Sequence, residues 1–240
     1  MNKNKRVAIL QSNYIPWKGY FDLINLVDEF ILFDDVQYTK NDWRNRNKIK
    51  TPQGAKWINI PVKNKGRIST ALKIKDVEIA DKKWSKKHWS TFETYYAKAQ
   101  FFKDYKDIFK ELYLNTEEEY LSEINYKLIK TINNILGITT KISFSSEYEL
   151  IGGQTEKLVN ICKQAKASEY LSGPAAKSYL DENLFMRENI NLKWMNYNDY
   201  KEYNQLYPPF DHYVSIIDLI FNKGAKSTEF MNSFTKTRIL

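Results

Sequence analysis

Apolar residues in this chain fall into short runs separated by polar, turn-forming segments, and their spacing switches between two periods. Residues 7–11 (VAILQ) form a near-continuous apolar run after a basic start, as a strand covered on both faces would. The turn SNYIPWKG follows. Phe21, Leu23, Ile24 and Val27 then share one broad face of a helix predicted from about Tyr20 to Val27. Residues 30–34 (FILFD) make a second apolar run, so residues 7–34 predict the strand–helix–strand unit of a parallel sheet. Residues 57–62 (WINIPV) and 72–77 (LKIKDV) alternate as strands do, joined by the basic turn KNKGR.

Residues 82–135 read as mostly helical, with Trp84, His88, Phe92, Tyr95 and Tyr96 at helical spacing. The clearest amphipathic stretch, Leu121 to Ile135, ends at Gly137, a residue suited to a helix C-terminus. Strands at 142–148, 170–173 and 190–197 then alternate with helices at 155–166 and 176–189. Strands that alternate with helices predict an α/β fold: Rossmann-like, a mostly parallel sheet flanked by helices, with a central helical segment. No repeat or linker divides the chain. One domain over residues 1–240, with a helical insertion at roughly 82–136, is the expected organisation.

Composition changes this picture in two places. Six Trp, 17 Tyr and 13 Phe are more rings than a core of this size is expected to need, which leaves some for ligand surfaces. The net charge is +8. Its Lys- and Asn-rich, Arg-poor wording fits an A·T-rich genome first, a phosphate-bearing ligand second and nucleic acid last. No recognition motif for RNA or DNA is present, so no nucleic-acid partner is expected. The one cysteine, Cys162, lies on the apolar side of a predicted helix and reads as a small buried hydrophobe. One cysteine and two histidines offer no zinc-type spacing, and no metal site is expected. No signal peptide and no membrane span is seen, which makes a soluble cytoplasmic protein the expectation.

Candidate chemistry concentrates where predicted strands end. Residues 11–20 (QSNYIPWKGY) leave the first strand and enter the first helix, the place where open parallel sheets bind ligands. There the helix N-terminus stabilises a phosphate, Gly19 allows close backbone approach and Lys18 adds a full charge. Gln11, Asn13 and Tyr14 could orient a sugar or base, and Trp17 could pack either a ligand or the turn itself. Residues 33–50 (FDDVQYTKNDWRNRNKIK) follow the second strand as a polar loop. Asp34 or Asp35 could act as a general base, and only one of these neighbours should enter the site, because adjacent strand residues point to opposite faces. Gln37, Lys40, Asn45, Arg46 and Asn47 add amides and cations suited to a nucleotide sugar, with Arg46 the expected bidentate phosphate ligand. A third strand–turn–helix junction carries Ser172, Gly173 and Tyr179, either an anion site or only a well-built junction. His88 is either a general base or a core residue. His212, after two prolines, reads as an ordinary residue at a helix start.

Taken together, QSNYIPWKGYFDLI, FDDVQYTKNDWRNRNKI, LSEIN, YLSGPAAKSYLDE and SIIDLIFNKG resemble the WbqC-like family over nearly the whole chain. The resemblance implies a place in the synthesis of O-antigen and related bacterial surface polysaccharides. Its motif positions fall on Gln11, Tyr14, Pro16, Trp17, Gly19, Asp34, Asp35, Gln37, Asn45, Arg46, Asn47, His88, Ser172, Gly173, Tyr179, Asp218 and Asn222, and it assigns catalytic roles to none of them. WKGY also stands where nucleotidyltransferases of the HIGH type carry His-x-Gly-His, with Trp17 and Tyr20 in place of both histidines. That turn is similar to the one in pantothenate synthetase, where an amine captures an activated carboxylate.

These resemblances imply amide formation on the amine of a nucleotide-linked amino sugar by N-acylation or aminoacylation, with Asp34, His88 or Asp35 as the catalytic base. The expected partners are the nucleotide-linked sugar and an acyl or amino-acid donor. ATP or an acyl donor would fit as co-substrate, and a homo-oligomer is compatible with the sequence. A glycosyltransferase, and a non-catalytic sugar-nucleotide-binding or scaffold protein of the same pathway, are the alternatives.

Overall fold

The structure is a computed structural model that describes residues 4–63 and 72–235. Its centre is a five-stranded parallel sheet, β1 (Arg6–Leu10), β2 (Glu29–Leu32), β5 (Lys141–Phe144), β6 (Glu169–Ser172) and β7 (Asn191–Trp194), in the order β5-β2-β1-β6-β7. A separate antiparallel hairpin pairs β3 (Arg46–Thr51) with β4 (Gly54–Asn59). The first crossover is the expected one: β1 pairs in parallel with β2, Ile9 opposite Ile31, through α1 (Lys18–Asn25). All four residues of β2 are buried, as in a sheet covered on both faces.

Strand alternation divides the core in two. Ala8, Phe30, Leu32 and Leu171 face a large cluster beneath α1, α2 (Trp84–Tyr96), α3 (Phe102–Leu114), α4 (Leu121–Leu136) and α7 (Ile216–Lys223). Val7, Ile9, Ile31 and Tyr170 face a smaller cluster beneath α5 (Gln154–Gln164) and α6 (Glu182–Arg187), where Cys162 is buried as expected. A last short helix, α8 (Asn232–Thr235), docks on α1: Asp22 accepts hydrogen bonds from the Asn232 and Ser233 amides at 3.1 and 2.8 Å and from the Tyr200 hydroxyl at 2.6 Å. No helix among the described residues is long and apolar enough to cross a membrane.

Several expectations need correction. The segment 33–50 is not one loop, because Arg46 onward forms β3. The expected strand 72–77 is instead a 3-10 turn at Ile74–Asp76 flanked by single bridges. Most of the turn KNKGR lies outside the described residues. The expected helix 176–189 is broken. A 3-10 turn, Pro174–Ser178, precedes α6, which starts anew where Asp181 caps the Asn183 amide at 3.0 Å. The surplus of rings is mostly not at the surface. Tyr14, Tyr20, Trp84, Trp89, Phe92, Tyr96, Phe109, Tyr113 and Phe221 fill the larger core, and the tyrosines among them bond one another or nearby backbone.

Candidate functional site

The strand order fixes where a ligand site belongs. After β1 the chain moves outward to β2 and later β5, then returns to the other side of β1 for β6 and β7. The direction therefore reverses between β1 and β6, and the crevice beyond their carboxyl ends is the favoured binding position of such sheets. Gln11 and Asn13 leave β1 there, Gly173 leaves β6, and Asp34 stands just past β2.

Three segments are joined above this edge by backbone hydrogen bonds. The Tyr14 amide donates to Trp43 O at 3.0 Å, the Ser215 amide to Lys48 O at 2.8 Å, and the Ile216 amide to Pro16 O at 3.0 Å. Between them lies a cavity of about 250 Å³ lined by Asn13, Pro16, Trp17, Trp43, Asn47 and Tyr213. Segments 11–20 and 33–50 thus face one cleft. Asn47 fastens the turn, donating to Tyr14 O and Ile15 O at 3.1 and 2.9 Å. Trp17 packs against Tyr197, Tyr200 and Tyr213, with centroids 5.2, 5.6 and 5.9 Å away.

The guanidinium at this crevice belongs to Arg44. It donates to the side-chain oxygens of Asn13 and, at 3.3 Å, Gln11, and it lies 3.6 Å from the Asp42 carboxylate. Its backbone carbonyl accepts from Asn125 at 2.9 Å, and the same amide group donates to Ser12 Oγ at 3.1 Å. Asp34 is buried beside it and accepts from the Ser12 amide at 2.8 Å. Burial pushes the Asp34 carboxyl up, against the Ser12 hydrogen bonds and the Arg44 charge, which pull it down. A carboxylate so placed is a better proton acceptor than an exposed one.

The other expected residues are distributed differently. Arg46 lies half-buried on the face of β3 opposite Asn47, where it stacks over Trp57 at 4.3 Å and donates to Asn41. Lys18 is buried under the segment between β7 and α7, its ammonium 3.3 Å from Lys201 O and 4.6 Å from the Tyr200 ring centre, and burial lowers it to about 8. Gly19 is approached not by open space but by the Trp17 indole, which a Cβ there would overlap. His88 is held in the core by both nitrogens: the Tyr14 hydroxyl lies 2.7 Å from Nδ1, and Nε2 is 3.2 Å from Asn59 O. Burial lowers it to about 4. Asp35 diverges from Asp34 to pair with Lys75 at 2.6 Å and Ser145 at 2.9 Å. Asn45 donates to Ile60 O at 2.8 Å, inside the fold. Gln37 and Lys40 are exposed. Ser172 is buried at the end of β6, and Tyr179 is exposed, with Arg44 among the charges that act on its hydroxyl.

Arg44, Ser12, Asn125 and Tyr213 are the residues sequence reasoning passed over. Arg44 is two positions from Arg46, and only the start of β3 tells them apart. Asn125 stood in the motif LSEIN.

No solved structure matches this chain. It is 48% identical over 227 residues to a Mycobacterium tuberculosis protein described as "Uncharacterized protein Rv1507c", a match that covers 95% of this chain and 97% of the other. The model of the WbqC-like protein family matches residues 11–230, which takes in every residue lining the cavity as well as Arg44 and Asp34, and the chain therefore belongs to that family.

Proposed function

We propose that this protein forms an amide on the amine of a nucleotide-linked deoxyamino sugar, in the cytoplasmic synthesis of bacterial surface polysaccharide. The observation that carries the reading is the Arg44 guanidinium, oriented by Gln11 and Asn13 at the switch point of the sheet and adjacent to the buried Asp34 carboxylate. A planar guanidinium makes paired, charge-assisted hydrogen bonds to phosphate, so it suits the diphosphate of a sugar nucleotide. Asp34 then takes the proton that the sugar amine loses as its nitrogen bonds to the acyl carbon and the donor's leaving group departs. The donor is an acyl carrier or a carboxylate activated by ATP. The glycosyltransferase alternative drew on Asp34 and Asp35 as a carboxylate pair, and these two side chains point to different partners.

Titration calorimetry with UDP- and dTDP-linked amino sugars tests this. Arg44→Ala and Arg44→Lys should each weaken binding by roughly tenfold to a hundredfold, since a hydrogen bond to a charged group contributes about 1.5–3 kcal/mol. Arg46→Ala should leave affinity within about twofold. Asp34→Asn should bind normally and lower acyl transfer by about 10²–10⁴-fold, the contribution of a positioned general base. Equal effects at Arg44 and Arg46, or none at either, would overturn the assignment.

A further inference from the structure

We infer that the cavity between Trp17 and Trp43 is the nucleobase subsite of the sugar nucleotide, which sets the direction in which the substrate lies. The inference rests on the proposed function and deepens it. The substrate extends with its base among Pro16, Trp17, Trp43 and Tyr213, its diphosphate across Arg44, and its amino sugar toward Asp34 and Gly173.

Size is the first argument. Pockets that enclose a whole drug-sized ligand run from about 300 to 1,000 Å³. At about 250 Å³ this one has room for a base but not for a whole sugar nucleotide.

Chemistry is the second. The walls are three aromatic rings and a proline, with two amides between them. Asn47 has both ends committed, its NH2 to Tyr14 O and Ile15 O and its oxygen to the Lys48 amide at 2.7 Å. Asn13 gives its oxygen to Arg44, so its NH2 is the part left for a ligand. A sugar ring placed here would bring several hydroxyls and leave most without partners, which costs free energy for each group buried. A heteroaromatic ring offers two faces to stack and a carbonyl or ring nitrogen for the Asn13 amide.

Position is the third. Asn13 both lines the cavity and holds Arg44, so the cavity and the guanidinium are one side chain apart. Asp34 accepts from the Ser12 amide and feels the Arg44 charge, but it does not line the cavity. Base, diphosphate and amine fit this sequence of groups in one order only.

The test uses UDP, ADP, pyrophosphate and glucosamine 1-phosphate on the wild-type protein, Trp43→Ala and Trp43→Phe, by titration calorimetry. Trp43 is 41% exposed, so its replacement spares the core. Base–aromatic stacking predicts that Trp43→Ala weakens UDP by about 5- to 160-fold. Trp43→Phe should recover most of that loss, and pyrophosphate and glucosamine 1-phosphate should bind all three proteins alike. A loss for glucosamine 1-phosphate with none for UDP would place the sugar in the cavity and overturn the inference. A loss confined to ADP would assign the cavity to the base of ATP and overturn it equally. In both cases an Arg44-dependent affinity for the intact sugar nucleotide leaves the proposed function standing. If no sugar nucleotide binds the wild-type protein at all, the proposed function fails, and the inference with it.

Discussion

Ile15 has φ of 36°, in the left-handed region that a β-branched side chain rarely adopts, and it is fully buried. Strain of this kind persists only where surrounding contacts impose it, and it gathers at functional sites. Here the imposing residue is Asn47, whose NH2 holds the carbonyls on both sides of the strained position and so sets the angle at which Pro16 and Trp17 enter the cavity wall. Asn47→Ala should leave two inward carbonyls without a donor, at about 1–3 kcal/mol each. A protein of this size loses roughly 2–4 °C per kcal/mol, so a fall in melting temperature of at least about 4 °C is expected. An unchanged melting temperature would mean that the turn holds itself. The sequence shows that an amide stands at position 47, but not that it serves the backbone of residues 14 and 15, because that contact spans separate elements. The same limit explains Arg46. Both arginines of WRNRN suit a phosphate by type, and the side to which each points depends on where β3 begins.

At the scale of elements, legibility follows apolar composition rather than burial itself. The central strands β1, β2 and β6 are mostly buried and read as apolar runs, so they are visible from composition alone. The hairpin partner β3 reads RNKIKT and is not, because charged and amide side chains occupy positions where an isolated sequence suggests solvent. Lys50 shows why: it is buried, its ammonium donates to Pro209 O, and its amide donates to the Tyr96 hydroxyl at 3.0 Å. Helix α1 sets propensity against packing in a way that gives a sign. Alanine is favoured over glycine inside a helix by about 0.8–1.0 kcal/mol, so Gly19→Ala should stabilise an isolated α1. In the protein the Trp17 indole occupies the space of the new methyl, and overpacking costs typically 1–3 kcal/mol. Gly19→Ala is therefore expected to lower the melting temperature and to change Trp17 fluorescence. A rise would show that the indole moves aside freely.

The whole molecule registers two buried groups whose effects on stability oppose each other with pH. Burial holds His88 neutral down to about 4, whereas the unfolded chain takes up this proton near 6.5. Its contribution is complete above 6.5 and is lost as pH falls toward 4. Burial lifts Asp218 to about 7, more than Tyr203, Lys50, Tyr96 and Asn222 pull it down. The folded protein keeps this proton and the unfolded chain, near 3.8, does not, so the Asp218 contribution is complete below 3.8 and is lost as pH rises through 7. Between pH 5 and 7 each amounts to about 2 kcal/mol, with opposite signs. Glu29 does not enter this window. Burial raises it, but hydrogen bonds from Lys141, Lys5, Ser143 and Tyr148 outweigh that and hold it at about 2, so its contribution is lost only as pH falls from about 4.5. Burial raises Asp22 and Asp34 in the same direction as Asp218, so each variant is compared with its parent. Relative to the wild type, Asp218→Asn should add about 4–8 °C to the change in melting temperature from pH 5 to pH 7, because the opposing carboxyl is gone. His88→Gln should subtract a similar amount. Melting curves at the two pH values decide it, and a parental slope in both variants would show that neither side chain carries its proton as burial dictates.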